Sequence, residues 1–174
     1  MRILRYLLWI PFVIIFISLL LALFFPKVNI ESTYTIKAPI ADTWNYFHNQ
    51  KTMHLWMDGF KSLQTVQETP NKIGSIYVLH FHVDDYDMEM NQTITEFEAY
   101  KKFGFKVDHS GATSINNIEF IKNDNNTIIK QKIEIRSNTF FFRPILLIVK
   151  IAMKKENEKN YNKLKKLVES QYQS

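Results

Sequence analysis

Three groups of side chains in this sequence have the types and spacing to do chemistry. In the run HFHVDD, His80, His82 and Asp84 alternate along the chain and would share one face of a strand. That arrangement can present two imidazoles and a carboxylate to one metal ion. His48 and His54 stand near Trp44 and Trp56 and have the chemistry of a general acid or base. Further on, Glu156, Asn157 and Asn160 interrupt an apolar helical stripe with groups able to make polar contacts inside a cavity. Each group also has a plainer reading. The His80, His82 and Asp84 face is opposite that of Tyr77, Leu79, Phe81 and Val83 and runs into the acidic turn Asp84, Asp85 and Asp87, so it is expected to point outward. His48 and His54 are expected at the surface, and the three helix residues on an exposed face.

Other chemistries lack their parts. The chain has no Cys, which removes disulfides, thiolate metal sites and thiol nucleophiles. There is no G-x-S-x-G stretch and no carboxylate pair at a telling spacing on an inward face, so a nucleophile with its activating base is not visible. Gly59, Gly74, Gly104 and Gly111 are too scattered to form a phosphate-cradling loop. No cofactor, metal or catalytic residue is therefore expected. The net charge is +5, but Arg2, Arg5 and Lys27 flank the apolar N-terminal run; apart from them, 19 basic residues stand against 17 acidic ones. That near balance makes the net charge weak evidence for nucleic-acid binding, and no nucleic-acid partner is expected.

The elements that must position these groups follow from apolar periodicity. Leu7 to Phe25 carries no charge, and Ser18 is its only polar residue. Nineteen such residues are long enough to cross a bilayer as a helix, with Pro11 in the first turns and Trp9 as an interfacial anchor. The run ends in ALFFPK and lacks the small-residue site of a cleaved signal peptide. The expectation is a transmembrane helix over 7–25 in a single-pass membrane protein. Arg2 and Arg5 against Lys27 place residues 1–6 in the cytoplasm and the domain on the extracytoplasmic side.

A domain over 28–174 follows. Val28, Ile30, Ser32, Tyr34 and Ile36 alternate as one face of a strand. Pro39 is placed to open a helix whose stripe is Ile40, Trp44 and Phe47. Asn49 is placed to cap a second short helix bearing Met53, Trp56 and Met57, with Gly59 ending it. Period-two runs then predict strands at about 60–69, 73–83, 86–98, 101–109, 112–123 and 126–138. From Arg143 the period lengthens, with Val149, Met153, Tyr161, Leu164 and Val168 on one side of a long closing helix. The run Phe140 to Met153 is too short for a second span and is expected as the core-facing start of that helix, with Phe140 to Phe142 able to touch a bilayer. The order predicts an α+β domain, a curved seven-stranded antiparallel sheet around the long C-terminal helix.

The stretches TIKAPIADTWNYFHN and NNTIIKQKIEI, Trp56 before the second strand, and the helix end YNKLKKLVES resemble the START and birch-pollen-allergen (SRPBCC) superfamily, in particular its polyketide cyclase/dehydrase-like group. The resemblance covers about 28–172 and implies a helix-grip fold with a cavity between sheet and helix that takes apolar ligands. The residues expected around a ligand are Tyr34, Trp56, Tyr77, Leu79, Phe81, Met88, Met90, Phe103, Phe105, Phe120, Met153 and Asn157. The function expected is binding of a hydrophobic small molecule or lipid by a membrane-anchored domain. The alternatives are a polyketide cyclase- or hydrolase-like enzyme and an interaction module with a filled core.

Overall fold

The computed structural model describes residues 9–13, 16–17, 20, 23–108 and 111–172. Strand β1 (Lys27–Ile36) leads into helices α1 (Ile40–His48) and α2 (Gln50–Trp56). Six strands follow: β2 (Phe60–Gln67), β3 (Ile76–Val83), β4 (Tyr86–Glu98), β5 (Lys102–Asp108), β6 (Ala112–Asn123) and β7 (Asn126–Ser137). A 3-10 turn (Phe140–Ile145) then delivers the chain to helix α3 (Leu146–Tyr172). The seven strands form one antiparallel sheet in the order β1-β7-β6-β5-β4-β3-β2. Together with the long C-terminal helix, this is a helix-grip fold.

The period-two pattern sets which side of each strand is buried. In β1, Val28, Ile30 and Ile36 are buried and Ser32 and Tyr34 half-buried on one face, while Asn29, Glu31, Thr33 and Thr35 on the other are exposed. Pairing carries the same face across the sheet in rows. One row runs Tyr77, Gln92, Val107, Ser114, Ile135, Val28, and the next runs Ile94, Phe105, Asn116, Ile133, Ile30. The register shifts between Ile94 and Glu96, a bulge that increases local twist and bends the sheet. Gly104 pairs with Glu96 there, and a Cβ on it would sit 2.8 Å from the Cβ of Glu96, so the close approach needs a glycine.

The first corner is fixed by polar groups as well as by apolar ones. Pro39 lies one residue before the helix, not at its first position: its ψ of 153° is extended, and its carbonyl accepts the Thr43 N–H at 3.1 Å. Behind it, Thr127 donates to the Ala38 carbonyl at 2.9 Å and accepts from the Thr43 hydroxyl at 3.2 Å, all buried. Asn49 caps α2 as expected, accepting from the Lys51 N–H at 3.0 Å. Gly59 adopts φ +71°, and a Cβ there would lie 2.6 Å from the His82 carbonyl oxygen.

Helix α3 crosses the concave face and is anchored at both ends. Leu146 packs with Val28, Ile30, Ile133 and Ile135. Tyr161, Leu164 and Val168 pack with Ile36, Ile129, Phe47 and Trp56. The middle of the helix bridges the space between these two clusters. The run from Phe140 is less buried than its apolarity predicts. It forms the 3-10 turn, with Pro144 inside it, before α3 begins, and Phe141, Ile148 and Ile151 are exposed.

The N-terminal expectation needs correction. Among the described residues no helix is long and apolar enough to cross a membrane. Residues 1–6, and the remaining undescribed positions of 7–25, lie outside the described residues. The single-pass topology with a cytoplasmic N-terminus and an extracytoplasmic domain does not stand. A run of apolar residues meets the length criterion for a span without by itself establishing one.

Candidate functional site: a cavity between the sheet and the long helix

A cavity of about 1230 Å³ lies where the middle of α3 bridges the concave sheet, closed at one end by α1 and α2. Ten of the twelve residues expected around a ligand line it. Tyr77, Leu79 and Phe81 come from β3, Met88 and Met90 from β4, and Phe103 and Phe105 from β5. Trp56 closes the end, and Met153 and Asn157 reach in from α3. These side chains share the space because the strand pairing stacks them: Leu79 is opposite Met90, and Phe81 is opposite Met88. Two of the twelve do not line it. Tyr34 stacks on Tyr161 with ring centroids 4.2 Å apart, and Phe120 sits between Trp44 and Phe47 in the core.

Polar residues also face this space, and several lie at positions that the sequence reading passed over. Gln92, Ser114, Asn116 and Gln131 are buried on the concave face and line the cavity. The alternation that assigns Met90 and Ile94 inward assigns Gln92 inward too, and that of Ile129 and Ile133 does the same for Gln131. A polar residue at an inward position was the available signal. Asn116 donates to Ser114 at 3.2 Å. The side-chain oxygen of Gln131, the indole N–H of Trp56 and the amide nitrogen of Asn157 are buried without a hydrogen-bond partner among the described residues. Asn160, which was not among the residues expected around a ligand, is half-buried along the cavity beside Asn157, because α3 turns this side toward the bridged space.

His48 is the larger surprise. It was expected at the surface, yet it lines the cavity among aromatic rings. Its imidazole stacks on Trp44 at 3.9 Å and meets the Phe103 ring edge-on at 4.7 Å. Burial pushes its pKa down to about 4, a shift that the Trp44 carbonyl only partly opposes. The ring is therefore neutral at pH 7. Its place follows from helix geometry, since 40, 44 and 48 are spaced by four and fall on one face. Tyr161 is also deeply buried; desolvation, and then the neighbouring Tyr34, raise its pKa well above the usual phenol range. Desolvation likewise raises Tyr34.

The charged groups of the cavity sit at its rim. Asp58 forms ion pairs with Lys159 and Lys163, and its backbone N–H donates to Asn160 at 3.1 Å, which fastens the α2–β2 connection to α3. His82 and Asp84 also reach the rim. The suspected metal face is built instead as cross-strand pairs. His82 lies 2.7 Å from Asp87, and His80 lies 3.3 Å from Glu89. Among the described residues no group of three His, Cys, Asp or Glu could hold a metal ion. His54 is exposed on α2 and does not line the cavity.

Comparison with known proteins agrees with this architecture. Residues 27–169 match the family described as polyketide cyclase / dehydrase and lipid transport. No curated protein matches the sequence significantly. Among solved structures, Ara h 8.0201 superposes with a TM-score of 0.70 at 11% identity, over 83% of this chain and 99% of that one. A Thalictrum norcoclaurine synthase point mutant, in complex with a transition-state analogue, superposes at 0.61 and 13% identity, over 85% and 97%. The di-domain ARO/CYC StfQ of the steffimycin biosynthetic pathway superposes at 0.69 and 9% identity, over 85% of this chain and 52% of that one. At such identities the likeness is one of fold.

Proposed function

Because the chain belongs to the polyketide cyclase/dehydrase and lipid-transport family, we propose that it binds a hydrophobic small molecule or lipid in the cavity between the sheet and α3. The observation that carries this is the cavity itself: about 1230 Å³, walled by Met, Phe and Leu side chains, with its charges at the rim. Ligand pockets are commonly about 300–1,000 Å³, so this one is roomy enough for a polycyclic molecule or a folded acyl chain. The methionines add adaptability, because thioether side chains repack around differing shapes. A cavity of this volume argues against a domain whose core is filled.

The enzymatic reading draws on the family's description and on two neighbours, a norcoclaurine synthase and an ARO/CYC protein. The deep groups here are poorly suited to it. A catalytic base works best with a pKa near the working pH, and His48 lies well below that. Tyr161 is displaced in the direction that makes it a weaker acid. Binding is the better-supported reading.

A titration with the neutral apolar fluorophore N-phenyl-1-naphthylamine tests it. The expected result is saturable, one-site enhancement in the micromolar range. The triple substitution Val107→Trp, Ser114→Trp, Met153→Trp places two rings on the cavity floor and one on its roof. It should weaken binding at least tenfold, worth about 1.4 kcal/mol. Equal affinity in the native and substituted chains would place the dye elsewhere and defeat the proposal.

A further inference from the structure

The following rests on the cavity-binding reading. We infer that the cavity takes a neutral ligand bearing a hydroxyl, and that this hydroxyl donates its hydrogen bond to Nε2 of His48. The tautomer follows from one contact. Nδ1 of His48 lies 3.3 Å from the Trp44 carbonyl oxygen, and a carbonyl can only accept, so Nδ1 carries the proton. Nε2 is then a bare lone pair. It is buried and has no partner among the described residues.

The surroundings explain why no side chain meets it. Around the imidazole stand Trp44, Phe47, Phe97 and Phe103, with ring centroids 3.9 to 6.0 Å away, and Phe120 lies just beyond. No hydroxyl or carboxylate comes from these elements to satisfy the nitrogen. A buried acceptor left without a donor is unfavourable, and a ligand hydroxyl that fills the aromatic space supplies that donor.

The same geometry sets the charge of the ligand. A carboxylate would point its own lone pairs at that of Nε2, and the cations that line the cavity, Lys72 and Lys159, belong to its rim. An alcohol or phenol meets both the apolar wall and the acceptor. The Trp56 indole N–H, the Gln131 oxygen and the Asn157 amide nitrogen, likewise buried and without partners, give an oxygenated ligand further places to bond. A plain hydrocarbon would leave all four unpaired.

Two matched compounds separate these cases: 1-naphthol, which can donate, and 1-methoxynaphthalene, which cannot. Calorimetric titration of the full chain should show about tenfold preference for 1-naphthol. In His48→Phe, which keeps a ring but removes the acceptor, the two should bind within about twofold of each other. In the native chain, the 15N resonance of His48 Nε2 should shift with 1-naphthol and stay in place with 1-methoxynaphthalene, a readout that does not depend on the variant folding. An unchanged preference in His48→Phe, or an Nε2 resonance indifferent to 1-naphthol, overturns the inference. Equal binding of both compounds by the native chain overturns it too, while leaving cavity binding intact. Binding of neither compound overturns the cavity-binding reading and this inference together.

Discussion

Leu164→Ala should lower the stability of the fold by about 3 kcal/mol, within the range of roughly 2–5 kcal/mol seen for buried Leu truncations. Leu164 is fully buried and packs against the cluster of Ile36, Ile129, Phe47 and Trp56 that fastens the C-terminal half of α3 to the sheet. The effect is large because α3 is held at its two ends and bridges open space between them. Losing contacts at one end removes much of that end's hold, and the cavity in the middle offers no compensating packing. For a chain of this size the loss corresponds to a fall in melting temperature of about 6–12 °C. Ile148→Ala and Ile151→Ala lie on the exposed side of the same helix and should change stability by less than about 0.5 kcal/mol. Thermal and urea unfolding of the three variants checks this. A Leu164→Ala protein as stable as the native chain would mean that the C-terminal half of α3 is not gripped.

Acidification should destabilise the protein through His48. In the unfolded chain the imidazole takes up its proton near the ordinary pKa of 6.5, but in the folded chain only near 4. Between those values the unfolded state binds more protons, so stability falls as pH falls. The penalty is absent above about pH 7, grows below 6.5 and is complete near 4. A shift of this size corresponds to ~3 kcal/mol, taking 1.36 kcal/mol per pKa unit. In His48→Phe that component should vanish, so the difference between the two proteins' unfolding free energies should change with pH over this window alone. A constant difference from pH 7 to 4.5 would show that the ring is solvated, and its place in the cavity would be wrong.

Much of the fold was readable from alternation because the physics there is local. A strand with one buried face must alternate, and the predicted strand at 86–98 coincides with β4, as that at 112–123 does with β6. The Asn49 cap was legible for the same reason: the residue satisfies its own neighbour's N–H. The site was less legible. Sequence pattern gives the direction of a side chain but not the volume left between a sheet and the helix across it, so the cavity could not be read from Met and Phe alone. His48 was misplaced because its polar type was weighed above its spacing from Ile40 and Trp44. Gln131 was passed over for the same reason, between Ile129 and Ile133. Residues 140–153 were read as core from apolarity, yet Pro144 and the 3-10 turn leave Phe141 and Ile148 outside. The N-terminal run was read as a span from its apolar composition alone, whereas among the described residues no helix is long and apolar enough to cross a membrane.

An apolar molecule could enter the cavity or merely adhere to the exposed apolar surface that runs from Phe141 and Ile145 of the 3-10 turn to Ile148 and Ile151 of α3. Methyl NMR of the native chain, titrated with N-phenyl-1-naphthylamine, decides between them. The methyl resonances of Leu79, Met90, Val107 and Met153, all on the cavity wall, should shift together and saturate at one equivalent, while those of Ile148 and Ile151 stay fixed. Shifts confined to Ile145, Ile148 and Ile151, with the wall methyls unmoved, would contradict the assignment of this cavity as a binding site.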